Sequence, residues 1–314
     1  MEIQRFLDYK NRVVAAVSRA IVGKDEAIEK VLICYVCGGH VLLEDVPGTG
    51  KTMLLRAFAK AIGGSFSRVQ FTPDLQPSDL TGINFYSQKT GEFQFRPGPL
   101  FHDVVLADEV NRATPRTQAA LLEAMEERQI TVDGDTHPLG ERFLVMATQN
   151  PLESYGTFPL PEAQVDRFFM RLALGYMSRA EEFSVLRRGD TVDIIAGLDR
   201  AVSDADTAYI RAHYRDVKVS DDVAGYLMDL VDATRRGDFS CGVSTRGAIA
   251  LYKAVQASAA LSGRDYAIPE DIRRMAPCVL AHRVAAGAGL KRADAEARLM
   301  GLVDRVPVPV ENMP

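Results

Sequence analysis

Val41-Leu42-Leu43-Glu44-Asp45-Val46-Pro47-Gly48-Thr49-Gly50-Lys51-Thr52 is the stretch that decides the fold. Three apolar residues read as a buried strand, the Gly-rich run as a turn, and the segment from Lys51 as a helix. The turn matches G-x-x-x-x-G-K-[ST] at every position but the first, where Asp45 stands in place of glycine. Aspartate tolerates left-handed or bridge backbone better than most residues, so the turn survives the change. Gly48 and Gly50 let the backbone approach a phosphate closely, and Asp45 to Thr52 form the cradle. Successive N–H groups and the helix N-terminus supply the anion site. Lys51 is expected to reach the β- and γ-phosphates, and Thr52 to ligate Mg²⁺.

Working outward, further short apolar runs occur at Val69–Phe71, Val104–Ala107, Phe143–Ala147 and Phe168–Leu174. Such runs suit strands buried on both faces of a parallel sheet. Helices are expected at 2–20, from about 24 to Cys37, at 51–62 and at 115–127. In the last of these Pro115 takes the first turn after Thr114 as N-cap. Alternation of this kind predicts a doubly wound α/β domain. Asn84–Ser87 and Glu92–Arg96 flank a turn and read as a hairpin. Arg128–Asp133 and Arg142–Val145 flank Gly134 and Asp135 and read as a second one. From about residue 178 helical patterns dominate, at 179–189, 205–215, 221–236, 246–262 and 269–286. The expected organisation is an α/β nucleotide-binding core over 1–177 followed by a small α-helical domain over 178–314.

Val104-Val105-Leu106-Ala107-Asp108-Glu109 is an apolar strand ending in two acids. Downstream of a phosphate loop, Asp108 is expected to hold Mg²⁺ through its water shell and Glu109 to act as general base toward an attacking water. Phosphoryl transfer also needs a polar group on that water and positive charge at the γ-phosphate. Asn150, at the end of the 143–149 strand, suits the first role. Arg167 and Arg246 are both open to the second.

The 314 residues are 47% apolar and 25% charged, which is ordinary globular composition. With 37 basic and 42 acidic residues the net charge is −5, which argues against tracking nucleic acid by bulk charge. The N-terminal stretch mixes charge into its apolar positions and does not read as a signal peptide. No apolar run approaches the ~20 residues that span a bilayer. Four cysteines fit a reduced, cytoplasmic protein. Cys34 and Cys37 have metal-ligand spacing, and Cys278 with His282 would complete a set. Their apolar helical setting favours packing instead, and His40 likewise reads as structural.

Taken together, the motifs resemble the MoxR family of AAA+ ATPases, in the clade with an insert in helix 2. The stretches that carry the resemblance are Gly39–Gly48, Gln70-Phe71-Thr72-Pro73-Asp74-Leu75, Gly91-Glu92-Phe93 with Arg96-Pro97-Gly98-Pro99, and Ala107–Arg112. Leu121–Glu127, Ala147-Thr148-Gln149-Asn150-Pro151 and Pro159–Gln164 add to them. The resemblance covers nearly the whole chain, and Asp45 at the first loop position is common in that family. It implies an AAA+ core with a helical lid, ATP and Mg²⁺ as cofactors, and ATP hydrolysis. It makes Asn150 the sensor 1 residue, Arg167 an arginine finger for a neighbouring subunit, and Arg246 the sensor 2 residue of the lid. Thr245 and Gly247 depart from the family's more usual Ser-Pro-Arg-Ala there. Val22 and Gly23 become the adenine-side contact. The helix-2 insert falls at about 76–98 and the pre-sensor 1 hairpin at about 128–145. It further implies a homo-oligomeric, hexameric ring and chaperone-like remodelling of client complexes, as in their maturation or metal insertion. The partner expected is a von Willebrand factor A domain protein. The same clade contains nucleic-acid motors, the competing function, but the chain has no basic-aromatic cluster to suggest one.

Overall fold

Leu42 and its neighbours alternate between two apolar environments, and this builds the molecule in layers. The computed structural model describes residues 1–45, 48–149, 156–188, 190–236, 239–284 and 292–309. Val46, Pro47 and Asn150, named above, lie outside them. The order of elements begins with α1 (Ile3–Ser18), α2 (Asp25–Val36), β1 (Val41–Glu44), α3 (Lys51–Ile62), β2 (Phe66–Gln70) and α4 (Pro77–Thr81). Then come β3 (Gly82–Ser87), β4 (Glu92–Pro97), β5 (Val104–Asp108), α5 (Pro115–Glu127), β6 (Gln129–Val132) and β7 (Asp135–Pro138). β8 (Leu144–Gln149), α6 (Glu162–Val165) and β9 (Met170–Leu172) complete the α/β part.

The five strands β2-β5-β8-β1-β9 form one sheet in that order, with every neighbouring pair parallel. Side chains alternate across it with period two. Val41, Leu43, Val104, Leu106, Leu144 and Met146 enter one core, while Leu42, Val105, Ala107, Val145 and Ala147 enter the other. Burying each larger aliphatic contributes roughly 1.5–3 kcal/mol. The first core continues through Phe6, Tyr9, Val13 and Val17 of α1 and Ile28 to Val36 of α2. The second is closed by Leu121, Leu122 and Met125 of α5. Thr114 takes the N-cap position of α5, but its hydroxyl bonds Thr117 Oγ1 at 3.3 Å instead of a helix N–H.

The first hairpin forms as read, β3 against β4, with Gly82 opposite Pro97. The second differs from expectation. β6 pairs with β7, not with 142–145, which belongs to β8 in the main sheet. Asp133 (φ 51°) and Gly134 (φ 94°) make a two-residue turn with both φ positive, so Val132 must pair with Asp135 directly. The hairpin therefore closes at 138 and does not extend to 145.

Beyond Tyr176 the chain is helical: α7 (Arg179–Arg187), α8 (Thr191–Ala196), α9 (Asp204–His213), α10 (Asp221–Arg235), α11 (Thr245–Leu261), α12 (Pro269–Leu280) and α13 (Arg292–Arg305). Ser178, Ser203, Ser220 and Ser244 each cap a helix through the hydroxyl. α12 ends at Leu280, short of the 286 expected, and α8 and α13 were not read. The apolar core of these helices is continuous with that of α1, α2 and α3.

His40 is buried between the layers. Val145 N–H donates to its Nδ1 (2.9 Å), so Nε2 carries the proton and donates to the Met125 carbonyl (3.1 Å). Burial, with Arg128 nearby, holds its pKa down to about 3. The unfolded residue, near 6.5, takes up a proton that the folded residue refuses. Stability from this group is thus fully present above about pH 6.5 and is lost as pH falls toward 3. Between pH 7 and 5 the loss is about 2 kcal/mol. Denaturant unfolding at both pH values should show that fall, and His40→Gln should flatten it; an equally steep fall in the variant would refute the assignment.

Candidate functional site

The glycine-rich loop expected to bind phosphate follows β1, which lies between β8 and the edge strand β9, and from there the chain crosses through α3 to the far edge strand β2. Crevices at such reversals, outside the carboxyl ends of strands, are where open α/β sheets bind ligands. Here a cavity of about 390 Å³ is lined by Asp45, Gly48, Gly50, Lys51, Thr52, Met53, Arg68, Gln70, Asp108, Glu109 and Thr148. Gly48 (φ 86°) and Gly50 (φ 87°) both have left-handed backbone, and added Cβ atoms would meet nothing within 4 Å. Glycine is needed at both for conformation, not for space within the chain. Gly50 is the N-cap of α3, so unpaired N–H groups of the first turn face the cavity end of the helix.

Asp45 is more structural than expected. Its Oδ2 accepts the N–H groups of Leu174 (2.8 Å) and Gly175 (3.0 Å), and its carbonyl accepts Lys51 Nζ (3.2 Å). One residue thus ties the loop to the chain after β9 and orients the lysine.

Asp108 and Glu109 stand on the opposite wall. Thr148 Oγ1 donates to Asp108 Oδ1 (2.6 Å) and accepts Glu109 N–H (2.8 Å). Arg68 Nη2 bonds Asp108 Oδ2 (2.7 Å) and Gln70 Oε1 (3.0 Å). Gln70 Nε2 donates to Glu109 Oε2 (2.8 Å), which Arg112 Nη1 also reaches at 3.1 Å. Glu109 itself has left-handed backbone, φ 57°, an uncommon state for a residue with a side chain. Arg68, Gln70, Arg112 and Thr148 carry no assigned role in the sequence reading. The available signal was that Gln70 and Thr148 lie at or near the carboxyl ends of strands beside β5.

The donor set fits a nucleotide with Mg²⁺. Mg²⁺ takes few protein ligands beside phosphate oxygens and waters, and Thr52 with Asp108 provides one hydroxyl and one carboxylate in one cavity. Among the described residues no group of three or more His, Cys, Asp or Glu is arranged to hold a metal. Cys34 and Cys278 are buried in the helical core, and Cys37 Sγ donates to the Lys253 carbonyl.

Of the other expected residues that the structure describes, Gly23, Arg167 and Arg246 do not line this cavity. Gly23 lines a neighbouring one of about 540 Å³, together with Lys24 and Leu174, and Val22 lies beside it in sequence. Lys24 Nζ donates to the carbonyls of Leu174 (2.7 Å), Tyr176 (3.1 Å) and Gly175 (3.2 Å). Leu174 and Gly175 are therefore strung between Asp45 of the phosphate loop and Lys24. Arg167 and Arg246 meet elsewhere: Arg167 Nε bonds Glu126 Oε2 (3.0 Å) and Arg246 Nη2 bonds Glu126 Oε1 (2.6 Å).

A family model described as an ATPase family associated with various cellular activities (AAA) matches residues 40–170, and a model of the AAA lid domain matches residues 234–300. The uncharacterized protein YeaC of Bacillus subtilis is 47% identical over 304 residues, covering 96% of this chain and 95% of that protein. Chaperone MoxR1 of Mycobacterium tuberculosis is 40% identical over 283 residues, 87% of this chain and 74% of that one. A crystal structure from Cytophaga hutchinsonii superposes with a TM-score of 0.88 at 38% identity, over 98% of each chain.

Removing the Asp45 carboxylate strands two N–H donors, one of them buried. Asp45→Ala should lower unfolding stability by about 2–3 kcal/mol, and Asp45→Asn by less, because one acceptor oxygen remains. Chemical denaturation measures both; an unchanged midpoint for Asp45→Ala would contradict the role given to the carboxylate.

Proposed function

This chain belongs to the MoxR family of AAA+ ATPases, and from that premise we propose that it hydrolyses ATP with Mg²⁺ in a homo-oligomeric, hexameric ring. The work done is chaperone-like remodelling of a client complex in the cytoplasm, alongside a von Willebrand factor A domain partner. One observation carries the reading. The anion cradle and both acids share one cavity, whereas Arg167 and Arg246 lie together outside it on Glu126.

In this reading the backbone at Gly48 and Gly50 and the Lys51 ammonium bind the β- and γ-phosphates. Thr52 and Asp108 hold Mg²⁺, which neutralises phosphate charge when bound. Val22 and Gly23 would provide the backbone contact on the adenine side. Glu109 takes the proton of the attacking water through its carboxylate, once that carboxylate turns from Gln70 and Arg112. Asn150 orients the same water. Arg167 is presented to the nucleotide of the neighbouring copy, so turnover requires assembly, and Arg246 supplies further positive charge from the lid. Among the described residues no helix is long and apolar enough to cross a membrane.

Three variants separate these roles. Lys51→Ala should weaken ATP binding. Glu109→Gln should bind ATP and stall. Arg167→Ala should bind normally and lose roughly 10³–10⁵ in turnover, the range arginine fingers contribute in related chemistry. Nucleotide binding by fluorescence and phosphate release at several protein concentrations distinguish them. Wild-type-like turnover by Arg167→Ala would refute the shared site. Pull-down of ATP-trapped Glu109→Gln should recover a von Willebrand factor A protein; nuclease-sensitive complexes would place the protein among nucleic-acid motors instead.

A further inference from the structure

Glu126 lies in the last turn of α5 and is not among the described residues that line the phosphate cavity, yet each of its oxygens holds a different guanidinium. One belongs to the core, Arg167 just after α6; the other belongs to the lid, Arg246 in the first turn of α11. The ion pair with Arg167 is made at its Nε, 3.0 Å from Glu126 Oε2. The residue before Arg167 is fastened to the lid as well. Asp166 Oδ1 accepts Arg283 Nε at 2.8 Å, and Ser244 Oγ lies 3.3 Å from Asp166 Oδ2. Arg283 is buried and also donates to the carbonyls of Phe168 (2.7 Å) and Phe169 (3.1 Å).

We propose that Glu126 is a positioning residue for hydrolysis: its carboxylate joins Arg167 to Arg246, so that presentation of Arg167 depends on the orientation of the lid. The inference rests on the reading of Arg167 as a residue that serves a neighbouring copy. Two guanidiniums close together repel, and a carboxylate between them cancels that repulsion and fixes their spacing. The three side chains are partly exposed, 33% for Glu126, 34% for Arg167 and 52% for Arg246. Such contacts add little to folding stability. Their effect lies in geometry, and small misplacements of a group acting in phosphoryl transfer are costly in rate.

The test compares Glu126→Ala, Glu126→Gln, Arg246→Ala and the double variant Glu126→Ala/Arg246→Ala in steady-state ATP hydrolysis, at concentrations where the wild type is assembled. Glu126→Ala should lower kcat roughly 10- to 100-fold. Its KM should stay within about twofold of wild type, because no ground-state contact to the nucleotide is lost. Its Tm should remain close to that of the wild type. Glu126→Gln, which keeps one acceptor oxygen but no charge, should fall between. In the double variant the losses should not multiply, since removing either partner breaks the same link. An unchanged kcat in Glu126→Ala, or losses that multiply, would overturn the proposal. If Arg167→Ala is inactive while Glu126→Ala is normal, only this inference fails. If Arg167→Ala turns over like wild type, the shared-site reading fails and this one with it.

Discussion

The site depends on the parallel strands ending level at one edge of the sheet. Gln70 lies opposite Asp108, Glu44 opposite Gln149, and Ala107 opposite Ala147. The apolar run of each strand stops there, and the first polar side chains of several strands meet around the loop that follows β1. Period two does the rest. Arg68 and Gln70 are two residues apart on β2, hence on one face, and that face is the one Asp108 occupies on β5. A slip of one residue between β2 and β5 would send Arg68 and Gln70 to the other core and break their bonds to Asp108 and Glu109.

This arrangement also sorts the charges. Asp108 is paired with Arg68, and Glu109 with Arg112. Lys51 instead donates to a neutral carbonyl, that of Asp45, while the Asp45 carboxylate faces two backbone N–H groups. Its positive charge is therefore held at the helix N-terminus beside two glycines, without a carboxylate partner in that bond. A helix start with a lysine ammonium beside it is the arrangement that favours an anion.

What could be read from the sequence was local. Strand, glycine turn and helix from Val41 to Ile62 follow one another without interruption, and the strand ending in Asp108 and Glu109 is equally self-contained. Contacts between distant segments are not legible in the sequence: Arg68 with Asp108 and Gln70 with Glu109 require the register of the folded sheet, and Glu126 with Arg167 and Arg246 requires the packing of the lid against α5. The second hairpin differs from its sequence pattern because residues 143–145 satisfy two patterns at once, an apolar sheet strand and the return arm of a turn. The backbone of Asp133 and Gly134 decides between them by allowing only a two-residue loop. α13 went unread because its buried positions, Ala295, Leu299, Leu302 and Val303, are sparse among charges, although their spacing is helical.

The helical lid is held to the rest in two physically different ways. Its apolar core merges with that of α1, α2 and α3, and Arg283 is buried against Asp166 and two carbonyls at the start of β9. Breaking that ion pair would leave an uncompensated charge in the interior, so it resists conformational change. The contacts at Glu126 are half exposed and can break and re-form at little cost. A rigid anchor at Asp166 beside an exchangeable contact at Arg167 gives adjacent residues opposite mechanical roles. Of the two contacts, the one that joins Arg167 to the lid through Glu126 is therefore the weaker.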